Sequence, residues 1–366
     1  MATSTLPTTS VIGYNTTANS TWAEYHGNRT RQSYKRDPNE IQELQARFLP
    51  TILVSVPANL ILIVIILCNR SLRTQTFFLG VLSLTVFDFC YSAFVLPINM
   101  DHFITWGRWR HGDIVCFIYI VLINSKVWMS ALMIIVLSVE RLLTKLRSVA
   151  VIGEKMRTNV SRVLIAIPWC MFLLGSMLIT WIKYDEMSRN KYIHETYCLF
   201  MVEQTFHIPY MVLAFHIPLS LLVLVPIAML LVYKYKKSDW NRLSAGAQEP
   251  EAVSLYMSTL SVWIASFVYV AFSTPMAAGL TQIVMCIRGW TKCPSMNQYK
   301  NSYTVSLLPC VIMPFLWIIT VEIRAVLSSI KARVMKKVTS PDGEGNGLSF
   351  SSLRHRVSSD GTDIHH

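Results

Sequence analysis

DIVCFIYIVLINSKVWMSALMIIVLSVER, residues 113–141, holds one acid at its start, one lysine near its middle and a Glu-Arg pair at its end, in an otherwise mainly apolar run. A bilayer core needs roughly 20 apolar residues of helix, so this run is long enough to cross. An open strand could not, because unpaired backbone groups each cost several kcal/mol in lipid. Six comparable runs flank it, at about 48–68, 75–99, 159–182, 206–233, 253–285 and 302–321. The connections are short, which makes neighbours antiparallel, and no internal repeat is visible.

Composition agrees. Of the 366 residues 52% are hydrophobic and only 15% charged, against about 25% charged in soluble chains. That excludes a disordered protein, a nucleic-acid-binding tail and most soluble enzymes. The net charge of +12 sits between apolar runs, where basic clusters face phospholipid headgroups and the cytoplasm. The predicted fold class is an all-α membrane protein, a seven-transmembrane helix bundle with a short amphipathic eighth helix. It divides into an extracellular glycosylated disordered tail (1–46), the bundle (47–321), an interfacial helix (322–337) and a disordered cytoplasmic tail (338–366).

Topology follows from sugars and charges. The start, MATSTLPTTS, lacks the charged and apolar regions of a cleavable signal peptide. Sequons at Asn15, Asn19 and Asn28 predict an extracellular N-terminus. Those at Asn69 and Asn159 fall on the inner side and should be unused. Seven spans put the C-terminus in the cytosol. Of the 33 Lys and Arg, nineteen fall inside, 13 outside, and one, Lys126, within a span. That bias matches a multi-pass membrane protein with its N-terminus outside.

Cysteines come next. Cys116 at the outer mouth of the third segment and Cys198 in the following outer loop both face an oxidising compartment, where a bridge can form. Cys286 and Cys293 flank the last outer loop as a second pair. Free thiols are the alternative for both. Asp88 in the second segment and Lys126, about 15 Å below Cys116 along the helix, both lie near the midplane. Buried charges pair or line a polar cavity, so an Asp88–Lys126 ion pair is expected. A lysine that snorkels or faces a wet cavity is the alternative. Glu140-Arg141 lies at the inner boundary, either as a locked switch or as an ordinary positive-inside arginine. Pro97, Pro168, Pro218, Pro226, Pro275, Pro309 and Pro314 fall inside apolar helices, where each removes a backbone hydrogen bond and bends the chain. After the seventh run, Ile323, Val326, Leu327, Ile330 and Val334 recur at helical spacing among basic residues, the pattern of an interfacial helix. Arg354 and Arg356 precede Ser358 and Ser359, a kinase-type site in a solvated tail. No metal cluster, phosphate loop or nucleophile–base pair is visible, so neither a cofactor nor enzymatic chemistry is expected.

Together these residues resemble a rhodopsin-like (class A) G-protein-coupled receptor over about residues 48–337. Asn59 stands at the family's first-helix Asn, and FFLGVLSLTVFD (77–88) is similar to its second helix, with Asp88 as the acid. WGRW (106–109) resembles its first outer loop and VERL (139–142) its Asp/Glu-Arg-Tyr motif. Trp169, Pro218, Pro275 and Pro314 match its landmark residues. TQTFFLGVLSLTVFDF and FHIPLSLLV are most similar to histamine and muscarinic receptors.

The departures are specific. Ile123 replaces the amine-binding aspartate. Phe272-Ser273-Thr274-Pro275 replaces Cys-Trp-x-Pro, and Met313-Pro314-Phe315-Leu316-Trp317 replaces Asn-Pro-x-x-Tyr. Leu255 stands where some members set a glutamate against the third-helix arginine. The seventh segment has no lysine at mid-depth, which argues against an opsin.

The resemblance implies a receptor for an extracellular ligand other than a simple amine, coupled to a heterotrimeric G protein. Arrestin, a receptor kinase and membrane lipid are further partners, and nucleic acid is not one. Ligand contacts would come from Ile123, Asn124, Phe200, Tyr210, His216, Met276 and Tyr303. Switching and coupling would fall to Glu140, Arg141, Ser273, Pro275, Pro314 and Trp317. Lys126 would supply an internal cation where relatives hold sodium. The competing reading is a signalling-silent or scaffolding homologue. A transporter is disfavoured by the lack of repeats.

Overall fold

Asp37-Pro38-Asn39-Glu40 opens the first helix. The Asp37 side chain accepts from the Asn39 amide at 3.0 Å, and Pro38 takes the first helical position. Proline suits that place because its missing N–H would be unbonded anyway. In the computed structural model, residues 37–105, 109–146, 154–178, 180–181, 198, 207–235 and 249–339 are described. The sequons at Asn15, Asn19 and Asn28, along with Phe200 and most of the long tail, lie outside them.

The described segments are helical. α1 is Pro38–Cys68, α2 Arg70–Thr74, α3 Thr76–Cys90, α4 Leu96–Ile104, α5 Asp113–Leu146 and α6 Glu154–Met171. α7 is His207–Met211, α8 Ile217–Tyr235, α9 Glu249–Ile287, α10 Met296–Ser306, α11 Leu308–Trp317 and α12 Val321–Thr339. The seven passages are α1, α3–α4, α5, α6, α7–α8, α9 and α10–α11. Six of the helical runs are each long and apolar enough to cross a bilayer. The seventh, Asn297–Trp317, meets that criterion only together with the helix that follows it, Val321–Met335.

α1 begins well before the apolar run, inside the stretch expected to be a disordered tail. Leu44 and Phe48 of this extension are buried, while Arg47 bonds Asn301 of α10 and Glu43 one turn back. Hydropathy marks the membrane-crossing part of a helix and not its solvent-side turns, and the helix starts at Pro38, ahead of the boundary expected at 46. α12 likewise runs slightly beyond the expected 322–337.

Prolines shape the spans. Wide π-turns at Tyr91–Val95 and Val212–His216 each end two residues before a proline, Pro97 and Pro218. A proline ring collides with the carbonyl four residues back, and the wider turn relieves that clash. Pro309 acts at the break between α10 and α11, where Leu307 and Cys310 make tight three-residue hydrogen bonds. Pro314 leaves the Cys310 carbonyl without its helical donor, and the Asn59 side-chain amide fills it at 3.1 Å while also bonding Ser55 O at 2.8 Å. Asn69 caps α2 by accepting from Ser71 N at 3.0 Å. Gly289, at φ +75°, ends the sixth span, with its amide on Cys286 O at 2.8 Å.

The chain forms two units, Met1–Ile323 and Arg324–His366. Within the first, α5 packs against the second, fourth, fifth and sixth passages, and α1 against the second and seventh. Large apolar side chains such as Leu53, Leu174, Leu213 and Phe267 face outward, as a lipid-immersed bundle requires. In the second unit, Ile330, Val334 and Met335 are exposed, and Ser328 and Ser329 bond their own helix backbone.

Candidate functional site

Three layers of polar residues lie within the bundle. The outer layer sits under a disulfide. Cys116 and Cys198 are joined at a Cα separation of 5.7 Å, and both are buried. Cys286 and Cys293 are joined across the Gly289 turn. Beneath the first bridge, Tyr303 OH meets Tyr91 OH at 3.0 Å and accepts from Asn99. Asn99 in turn accepts from Tyr119 OH at 3.1 Å. Phe48 and Phe103 pack against the Tyr303 ring.

Tyr303, expected to face a ligand, is thus part of a buried network that fills the space between the second, third and seventh passages. Met276 is buried in the same outer core, and Ile123 packs against it. His216 is exposed and meets Thr281 Oγ1 at 3.1 Å, joining the fifth and sixth passages. Asn124 is half-buried on the third. Tyr210 lies in α7, but its side chain, like Phe200, is outside the described part. The structure therefore gathers Ile123, Met276 and Tyr303 around one outer core and leaves His216 apart. Sequence reading missed Tyr91, Asn99 and Tyr119, which are ordinary residues until the network brings them together.

The middle layer is the charge pair. Lys126 Nζ donates to Asp88 Oδ1, with the two side chains 8% and 2% exposed. Ser130 Oγ lies 3.1 Å from the ammonium, and the rings of Tyr91 and Phe87 lie at 5.3 and 5.9 Å. Tyr269 of the sixth passage donates to the Lys126 and Val127 carbonyls at 3.2 and 3.1 Å. A carboxylate, a hydroxyl and two aromatic rings surround this internal cation, which offsets its desolvation.

The inner layer centres on Arg141. Its guanidinium donates to Glu140 Oε2 at 2.6 Å and to Ser258 Oγ of α9 at 3.0 Å. It lies 4.1 Å from the Phe77 ring centroid. Glu140 Oε1 accepts from Thr76 Oγ1 at 3.0 Å, which ties in the second passage. Trp317 is 1% exposed and meets Phe77 edge-on at 6.2 Å. A chain of contacts therefore runs Trp317, Phe77, Arg141, Ser258, through four passages. Leu255 makes no polar side-chain contact with Arg141. The bond comes from Ser258, nearly one turn further along α9, a partner that sequence reading missed. Ser273 and Pro314 are buried, and Pro275 lies within α9. No group of three His, Cys, Asp or Glu suited to a metal occurs among the described residues.

The family model described as 7 transmembrane receptor (rhodopsin family) matches residues 58–316, well over half of the chain.

Proposed function

Since this chain belongs to the rhodopsin family of seven-transmembrane receptors, a family of receptors and not enzymes, we propose that it sits in the plasma membrane with its N-terminus outside and passes ligand binding to a heterotrimeric G protein. The observation that carries this reading is Arg141, buried at the inner end and bonded to the sixth passage through Ser258. A charge held there by the Glu140 carboxylate, the Ser258 hydroxyl and the Phe77 ring loses its tie to the sixth passage when that passage moves outward. That movement opens a crevice for a partner helix.

The ligand enters from outside, over Ile123, Asn124 and Met276, with the Tyr303 network as one wall. Ile123 offers no carboxylate, so a simple amine is not the ligand. Arrestin and a receptor kinase act on the open state and the tail. Lys126 replaces bound sodium.

The test is nucleotide exchange on purified G proteins with wild type and Arg141→Ala in nanodiscs, against a ligand panel of peptides, lipids and amines. Ligand-stimulated exchange that the variant loses is the expected result. Equal silence from both across the panel would leave a scaffold in its place. Epitope tags at both ends, probed on unpermeabilised cells, check the orientation. Only the N-terminal tag should be reached.

A further inference from the structure

Between α4 and α5 the chain makes a short outer turn whose side chains play no part in the receptor reading. Trp109 Nε1 donates to Gly112 O at 2.8 Å, and Gly112 sits at φ +76°, which glycine adopts without strain. Three side chains of this turn meet α4. Arg110 Nη2 donates to Asp101 Oδ1 at 2.6 Å, and His111 Nε2 lies 3.0 Å from Asp101 Oδ2. The Trp109 ring lies 5.1 Å from His111, 5.4 Å from Tyr119 of α5 and 6.3 Å from His102 of α4. His102 also meets the Tyr119 ring at 6.3 Å. Its Nδ1 is buried and has no hydrogen-bond partner among the described residues.

We propose that His102 is a proton site that governs this turn: neutral, its ring packs against Trp109 and Tyr119, and protonated, it drives the turn off the outer end of the bundle. The switch stands on the fold alone and needs no G protein. An imidazolium makes Nδ1 a charged donor, and nothing beside it accepts. Burial penalises such a group far more than a bare neutral acceptor. The groups that act electrostatically on the ring are Asp101 and His111. Asp101 already holds Arg110 and His111, so a charged His102 would be a third cation at one carboxylate. His111 responds with the opposite sign, because protonation strengthens its bond to Asp101. That pair is partly exposed, with side chains 35% and 28% accessible, and partly exposed pairs contribute little. The penalty at His102 is therefore the larger effect. The remaining neighbours supply no counter-charge. Tyr119 OH donates to Asn99 Oδ1, and Tyr303 OH is engaged by Tyr91 and Asn99. α1 meets α4 through Phe48 and Phe103, and its Arg47 bonds Glu43. Asp113 stands at the start of α5, beyond the turn. The closed packing is thus favoured while the ring is neutral and is lost as the pH falls through the ordinary imidazole range, near about 6.5. Tyr119 links Trp109 to the Asn99–Tyr303 network, so acid outside is felt within the outer layer.

The test uses the full chain in nanodiscs, with fluorotryptophan at its 10 tryptophans, followed by fluorine NMR from about pH 8 down to about pH 5, the range in which histidine titrates. The Trp109 and Trp317 resonances are assigned by their loss in Trp109→Phe and Trp317→Phe. A soluble gadolinium chelate broadens whichever of them becomes exposed. In wild type the Trp109 resonance should shift and broaden as the pH falls. The open-to-closed ratio should rise by up to about tenfold per pH unit, the limit for one proton taken up on opening. Trp317, which is 1% exposed and lies far along the bundle, should not respond. His102→Phe and His102→Gln each keep an uncharged side chain in place and should hold Trp109 covered at every pH. His111→Phe should retain a transition, because Trp109 still rests on His102. A pH-independent Trp109 in wild type, a transition that survives both His102 variants, or one that vanishes in His111→Phe would overturn the proposal. So would a Trp317 response equal to that of Trp109, which marks a loosening of the whole bundle. The readout requires neither ligand nor G protein, so a signalling-silent chain would leave the proton site standing and count only against the receptor reading.

Discussion

Breaking the Asp88–Lys126 pair is the most direct probe of the bundle's interior. Both side chains are buried, and the ammonium is enclosed by Asp88, Ser130 and two aromatic rings. Removing one member of such a pair leaves the other charge desolvated and uncompensated, at a cost of about 3–5 kcal/mol. Asp88→Asn should fall at the lower end of that range, because Ser130 and the Tyr91 ring still face the ammonium. Lys126→Met keeps the apolar stem and removes the charge. Replacing both members, as Asp88→Leu with Lys126→Met, removes both desolvation terms. The double variant should then lie within about 1 kcal/mol of wild type. Unfolding in mixed micelles of rising SDS content, followed by circular dichroism, measures all four proteins. The signature is strong non-additivity, with the double more stable than either single. Single losses below about 1 kcal/mol, or a double loss equal to their sum, would show that Lys126 is solvated and that the pairing contributes nothing.

Three further outcomes are expected. Asn59→Leu strands the Cys310 carbonyl that Pro314 leaves without a donor, at a cost of about 1–3 kcal/mol. The loss should shrink in a Pro314→Ala background, where the backbone N–H returns, and an equal loss in both backgrounds would refute that role. Gly80→Ala would bring a Cβ to 2.7 Å from Leu137 Cδ2 and destabilise by about 1–3 kcal/mol. Adding Leu137→Ala should recover part of it in the same unfolding assay. The unfolding midpoint should be the same in sodium chloride and in choline chloride, because Lys126 already pairs with Asp88. A sodium-specific stabilisation would sink that idea.

Much of the molecule is legible in one dimension. The number of passages follows from apolar length, because crossing lipid is a free energy that each segment settles largely alone. The meeting of Asp88 and Lys126 follows almost as directly. Two charges at equal depth in consecutive spans have few other partners, and leaving them apart is costly. Even the early start of α1 was written in Asp37-Pro38-x-Glu40, a helix-opening pattern. It lies outside the apolar run, and a reading led by hydropathy passes over it.

What the sequence could not supply is rotation. Which side of α9 faces Arg141 depends on helix packing and on where Pro275 and the π-turns shift the register of neighbouring spans. A family pattern pointed to Leu255, and folding put Ser258 there, nearly one turn away. Tyr91, Asn99, Tyr119 and Tyr303 are unremarkable alone, and only three converging passages make them a network. Depth along the membrane normal is thus a property of each segment and readable from its residues. Azimuth around each helix axis is a property of the packed bundle, set jointly by all its neighbours, and it decided which serine holds the arginine.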